Sequence, residues 1–256
     1  RFAGPAEIDG ELDQLSASEL AQAKTYRPVE QRRELDRWIL GELAQANATV
    51  VECMDNYSNY PACQAITALV DALSNWYVRR CRDRYWGEAS AAESEDKADA
   101  YWTLYEVLVE LSKMVAPFVP FVAEAMWKSL TESVTGKVRE SIHLCDYPLG
   151  EKLRLDTTLS ERMSVLQEIA SSGRSARMDA KLKVRQPLAS VEVCLADDAH
   201  VEWLKQHDEI IRQELNVKEI RYVSGNSPFI EYQVLPNFKK LGPKVGKQIP
   251  ALKKAL

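Results

Sequence analysis

Apolar residues that return every three or four positions along three long segments constrain this chain more than anything else in it. Leu35, Ile39, Leu43, Ala46 and Val50 form one such series, and Ile66, Leu69, Val70, Leu73, Trp76 and Tyr77 a second. Tyr101, Leu104, Leu108, Leu111 and Val115 form the third. This spacing is the stripe of an amphipathic helix, whereas a half-buried strand would alternate. N-Y-S-N-Y-P at 56–61 is turn chemistry between the first two helices, and Pro61 suits an early position of the second. The third helix is expected over about Lys97–Val115, ending before Pro117 and Pro120, which remove donors and clash with a preceding turn. A shorter fourth follows near Phe121–Leu130. The acidic, alanine-rich run 87–99 contains Gly87 and no apolar period, and reads as a loop between antiparallel helices. The fold class is mainly α, an antiparallel helical bundle over residues 1–149 with an irregular lead-in at 1–33.

Beyond Pro148 the texture changes. Thr158-Leu-Ser-Glu161 has capping-box spacing and opens a helix to about Met178. S-V-E-V-C-L at 190–195 alternates as a strand, with Val191, Val193 and Leu195 on one face. A helix follows with Val201, Leu204, Ile211 and Leu215 inward and Asn216 at its end. V-K-E-I-R-Y-V and I-E-Y-Q-V-L then supply two more strands. These make a small α/β unit, β-α-β-β, in a second domain over 150–256 that ends in a lysine-rich tail. A length of 256 residues accommodates two such domains.

Several function classes drop out. Apolar runs such as Met114–Val122 are too short to cross a bilayer, and the N-terminus lacks a signal-peptide pattern, so a cytoplasmic protein with no membrane partner is expected. Five widely spaced cysteines with no C-x-x-C imply reduced thiols and neither a disulfide framework nor a zinc site. His143, His200 and His207 are scattered, read as capping or surface residues, and leave no metal expected. Gly242-Pro-Lys-Val-Gly246-Lys247 is one residue short of a phosphate-binding loop and has Gln248 where a Ser or Thr is needed. Lys113 sits within the third helix and reads as a surface residue. No catalytic residue is expected.

Charge is where the chain contradicts itself. Its net charge is −5, yet N-W-Y-V-R-R-C-R-D-R-Y-W at 75–86 holds four arginines and four aromatics. Further cations cluster at Arg174, Arg177, Lys181, Lys183 and Arg185, and six lysines follow Pro236. A single block is ordinarily a solvated face. Three blocks point to a shared polyanion partner. At 100° per residue the stripe through Leu69, Leu73 and Tyr77 continues onto Arg80 and Arg84, a structural junction that includes Trp76 and whose arginines need acidic partners. Arg79, Arg82 and Trp86 fall on another face and suit a phosphate track with a stacking aromatic.

Five stretches, in order, carry a resemblance. L-D-R-W-I-L (35–40), L-S-N-W-Y-V-R-R-C-R-D-R-Y-W (73–86), V-A-P-F-V-P-F-V-A-E-A-M-W (115–127), S-I-H-L-C-D-Y-P (141–148) and K-V-R-Q-P-L (183–188) resemble the C-terminal half of isoleucyl-tRNA synthetases. The strands after 189 and L-G-P-K-V-G-K resemble the eukaryotic-type branch found in some bacteria. Valyl-tRNA synthetases share the W-Y and A-P-F-x-P elements, and K-V-R-Q-P-L favours the isoleucyl family. The resemblance implies an anticodon-binding region that recognises the stem-loop of isoleucine tRNA, expected as a monomer and inactive alone. ATP and Mg²⁺ would serve the parent ligase, and the catalytic and editing domains that carry its signature motifs would be partners of this region. The resemblance identifies the polyanion as tRNA, and the charge blocks and helical phase then make Arg79, Arg82, Trp86, Arg174, Arg177, Lys181, Lys183 and Arg185 the expected RNA-binding residues. The competing reading is an architectural module that buttresses the catalytic half.

Overall fold

The computed structural model describes residues 12–86, 91–132, 134, 138–149, 156–195 and 198–223. The chain divides into two compact units, 1–164 and 165–256, so the division falls inside a helix rather than at the change of composition near 150. The architecture is a helical bundle with a small α/β part. Among the described residues no helix is long and apolar enough to cross a membrane.

In the first unit a short helix α1 (Ala17–Leu20) and a 3₁₀ turn (Val29–Gln31) precede α2 (Glu34–Asp55) and α3 (Asn59–Asp71). The described part of the lead-in, 12–33, is less irregular than its composition suggests, because it is bonded to the bundle. Arg27 clamps Asp99 through Nη2 at 2.6 Å, and Arg32, buried, donates to Thr103 at 2.9 Å and lies 4.4 Å over the Tyr26 ring. The α3 helix does not continue in α-helical phase. It widens into a π-helical segment, Ala72–Val78, before α4 (Arg82–Trp86). Each π turn adds a residue per turn and rotates every later side chain around the axis.

From Ala91 on, the acidic run expected to be a loop is the start of α5 (Ala91–Val115). Alanine has the best helix propensity, and acids in the first turns complement the positive end of the helix dipole. Several of those acids also have arginine partners, described below. The expected inward stripe of α5 holds only in part: Leu111 and Val115 are buried, but Tyr101, Leu104 and Leu108 are half-buried, and Trp102, Thr103, Glu106, Val107, Val109 and Met114 take interior positions instead. Lys113, read as a surface residue, is 6% exposed and donates to Glu110 at 2.9 Å. Pro120 opens α6 (Pro120–Thr131), and a 3₁₀ turn (Ile142–Leu144) follows.

The helix α7 (Thr157–Asp179) begins one residue before the expected cap. Asp156 is the cap, its Oδ1 accepting from Leu159 N at 3.0 Å. In the second unit β1 (Leu188–Cys194) and β2 (Val217–Val223) pair in parallel, Leu188 opposite Val217 and Cys194 opposite Val223. The single helix expected between them is two, α8 (Val201–Gln206) and α9 (Asp208–Leu215), broken at His207, whose ring stacks on Trp203 at 3.9 Å. Asn216 ends α9 in the left-handed conformation, φ 49°, which suits its short polar side chain. The third expected strand, I-E-Y-Q-V-L, and the lysine tail lie outside the described residues.

Candidate nucleic-acid interface

Nine-tenths of the Arg84 side chain is withdrawn from solvent, and its guanidinium organises one end of the bundle. Nη1 and Nη2 each donate to one oxygen of Asp36 at 2.8 Å, a bidentate pair, while Nε donates to Asp96 at 3.0 Å. Asp36 is fully buried, and its Oδ1 also accepts from the Tyr77 hydroxyl at 2.6 Å. Taking a carboxylate out of water is costly unless it is paired and hydrogen-bonded, and here both oxygens of Asp36 are bonded. Burial alone would lower the Arg84 pKa, but the Asp36 hydrogen bonds and charge raise it further above its ordinary value. Burial, and then the Asp36 charge, push the Tyr77 hydroxyl well above its ordinary value. Cys81, beside them, has its thiol pushed up to about 11, chiefly by burial.

The same acidic run supplies other partners. Arg33 meets Asp96 at 2.6 Å, and Arg27 reaches Glu95 at 3.1 Å as well as Asp99. Much of the acidity of 93–99 therefore neutralises arginines of the same unit. Of the four arginines in 75–86, Arg84 is the one that this acidic run is seen to neutralise among the described residues.

The π turn changes which residues of 75–86 face inward. Trp76, Tyr77, Cys81 and Tyr85 are buried, so Cys81 and Tyr85 take the inward line that unbroken α-helical phase assigns to Arg80 and Arg84. Arg84 lies beside that line, and the Arg80 guanidinium packs over the Trp76 ring at 5.4 Å. Arg79, Arg82 and Trp86 all face solvent, Trp86 at 76% exposure. Arg79 donates to Asn75 O at 2.8 Å and lies 5.9 Å from the Trp76 ring centre. Arg82 has no ion pair or hydrogen bond to another described residue.

The second basic cluster sorts in the same way. Lys181, Lys183 and Arg185 are exposed. Arg174 is part-exposed and pairs with Glu214 at 2.9 Å. Arg177 does not belong among phosphate contacts: it is 4% exposed, and Nη2 donates to the carbonyls of Lys183 (2.7 Å), Val184 (3.3 Å) and Gln186. Its burial was readable, since Leu159, Met163, Leu166, Ala170, Gly173 and Arg177 follow one another at three or four residues.

Sequence reasoning missed other exposed aromatics. Tyr57, in the turn after α2, is 94% exposed, Tyr60, in the first turn of α3, 74%, and Phe121, in the first turn of α6, 90%. The tyrosines lay in a segment read only for its turn chemistry, and Phe121 in one read only for its prolines.

The family described as "Anticodon-binding domain of tRNA ligase" matches residues 36–193, more than half of the chain. An isoleucine--tRNA ligase of Deinococcus radiodurans is 37% identical over 228 residues, covering 89% of this chain and 20% of that protein. One from Protochlamydia amoebophila is 39% identical over 213 residues (83% and 20%), and one from Thermus thermophilus 37% over 234 residues (91% and 22%). The chain spans about a fifth of the length of these relatives.

Proposed function

The chain belongs to the anticodon-binding domain family of tRNA ligases, and on that premise we propose that it holds the anticodon stem-loop of isoleucine tRNA for a parent isoleucine--tRNA ligase. The observation that carries this reading is the family match across the bundle that displays Arg79, Arg82 and Trp86 to solvent. The planar fork of an arginine suits phosphate oxygens, and an exposed indole suits an unstacked base. Arg79, Arg82, Lys181, Lys183 and Arg185 set register along the RNA backbone, with Arg174 contributing its exposed part. Arg84, Trp76 and Tyr77 hold the platform and Arg80 packs on it, so the buttressing role falls to particular residues rather than to the region as a whole.

In this reading the region performs no chemistry itself. ATP and Mg²⁺ serve the parent ligase, whose catalytic and editing portions are this region's partners, in the cytoplasm and as a monomer. About three to six phosphate contacts give a log-log dependence of affinity on salt with a slope of about −2 to −5. Fluorescence anisotropy with isoleucine tRNA and a non-cognate tRNA tests the proposal. Preference for the isoleucine species with that slope is expected, and equal affinity for both removes the specific part of the claim.

A further inference from the structure

The helices α2 and α5 run in the same direction. Near their starts, Asp36 of α2 and Asp96 of α5 share Arg84, and further along, Leu40, Leu43 and Asn47 line one cavity with Glu110 and Lys113. Both helices therefore finish toward the same end of the bundle, and α2 runs on past the corner after α5, because Lys113 in the last turn of α5 lines that cavity with the middle of α2. That end displays Tyr57, Tyr60 and Phe121, all largely exposed.

Tyr57 occupies an unexpected position. Its φ is 55°, in the left-handed region that bulky side chains avoid. Tyr57 N donates to Met54 O at 3.0 Å and Ser58 N to Cys53 O at 2.8 Å, the paired bonds of a Schellman helix end, where glycine is the usual residue at this position. The fold gains nothing visible from a ring there, because the side chain is 94% exposed. A bulky residue at a strained, solvated position points to a ligand. N-Y-S-N-Y-P carries no charge, so a ligand there meets ring faces rather than cations.

We propose that Tyr57, Tyr60 and Phe121 form a stacking surface for unpaired bases of an RNA loop, at the end of the bundle opposite Arg84. This rests on the tRNA reading above and extends it, separating a base-stacking end from an arginine end that engages phosphates. Stacking on an aromatic ring contributes about 1–3 kcal/mol per base, equivalent to about 5- to 150-fold in affinity.

The test uses the 256-residue chain and an isoleucine tRNA transcript, with affinity and salt slope from anisotropy and melting temperature from circular dichroism. Tyr57→Gly is the decisive variant: glycine suits the left-handed cap, so the melting temperature holds or rises by a few degrees while affinity falls by about 5- to 150-fold. Tyr60→Ala and Phe121→Ala lose affinity on the same scale, Tyr60→Phe stays within about twofold, and none changes the salt slope. Wild-type affinity in all three disruptive variants, while Arg79→Ala/Arg82→Ala weakens binding, overturns the stacking surface and leaves the tRNA reading standing. A melting temperature that falls together with affinity in Tyr57→Gly also overturns it, since the ring would then belong to the fold. A wild-type chain that binds no tRNA overturns both.

Discussion

The two basic clusters, one in each compact unit, look alike in sequence and divide alike in three dimensions. Each places one arginine in the interior and leaves its neighbours in water: Arg84 against Arg79 and Arg82, Arg177 against Lys181, Lys183 and Arg185. The interior members differ in what they satisfy. Arg84 neutralises a fully buried carboxylate, whereas Arg177 gathers the carbonyls of the chain that returns after α7. A run of positive charge therefore identifies no interface by itself. Position on the helix decides which cations remain available to a polyanion, and the partner of a buried cation decides what its loss costs.

The largest effect separating the two clusters is expected from Arg84→Met. It strands Asp36, at 0% exposure, with only the Tyr77 hydroxyl, and removing one partner of a buried ion pair costs about 3–5 kcal/mol. Urea denaturation followed by circular dichroism measures this. A loss below about 1 kcal/mol would mean that Asp36 takes up a proton or finds another partner at little cost. Arg177→Met comes next, at about 1–3 kcal/mol, because its acceptors are neutral carbonyls. The guanidinium is also imperfectly satisfied, with Nε and Nη1 buried and unbonded among the described residues, so removing it relieves part of its own burial cost. Equal losses for the two variants would break the distinction between charged and neutral partners.

How much of this was legible depended on phase. The bundle, its turns, the proline-bounded corner and the strand–helix–strand order all follow from apolar period and from Pro and Asn positions. The division of 75–86 into buried and solvated arginines needed more, since a π turn between Ala72 and Val78 shifts the phase and carries no distinct composition. Arg84 nevertheless lies against the interior, beside the line that Cys81 and Tyr85 occupy. The start of α5 was hidden for another reason. Its acids show no apolar period because they face arginines, and a pattern of charge pairing between distant segments is invisible to a local window. Arg177 was the reverse case, readable from the α7 stripe but overlooked because its neighbours are basic.

A smaller, pH-dependent effect sharpens the Arg84 side of the comparison. Burial first, then Asp36, raise the Tyr77 hydroxyl above its ordinary value of 10.0. Well below pH 10.0 the hydroxyl is neutral in folded and unfolded chains alike, and its contribution to stability is complete. Above that, the unfolded chain releases a proton that the folded one retains, so stability falls as pH rises. Tyr77→Phe is expected to cost about 1 kcal/mol at neutral pH and to flatten the alkaline decline by up to about 1.4 kcal/mol per pH unit. Stability measured from pH 8 to about 11.5 checks it, and an unchanged alkaline slope would place the titrating group elsewhere.

The smallest stability effects belong to the solvated members, where the comparison reverses. Arg82→Ala and Lys183→Ala each remove an exposed cation, and surface changes of this kind stay within about 0.5 kcal/mol. If these side chains meet phosphates, each substitution reduces the magnitude of the log-log salt slope of tRNA binding by about 0.7–0.9, whereas Arg84→Met and Arg177→Met leave that slope unchanged in the folded fraction. Stability and salt slope thus form two independent axes, with the interior arginines moving along one and the exposed cations along the other. An exposed cation whose loss lowers stability by more than about 1 kcal/mol, or an interior arginine whose loss reduces the slope, would show that burial is not what sorts these clusters.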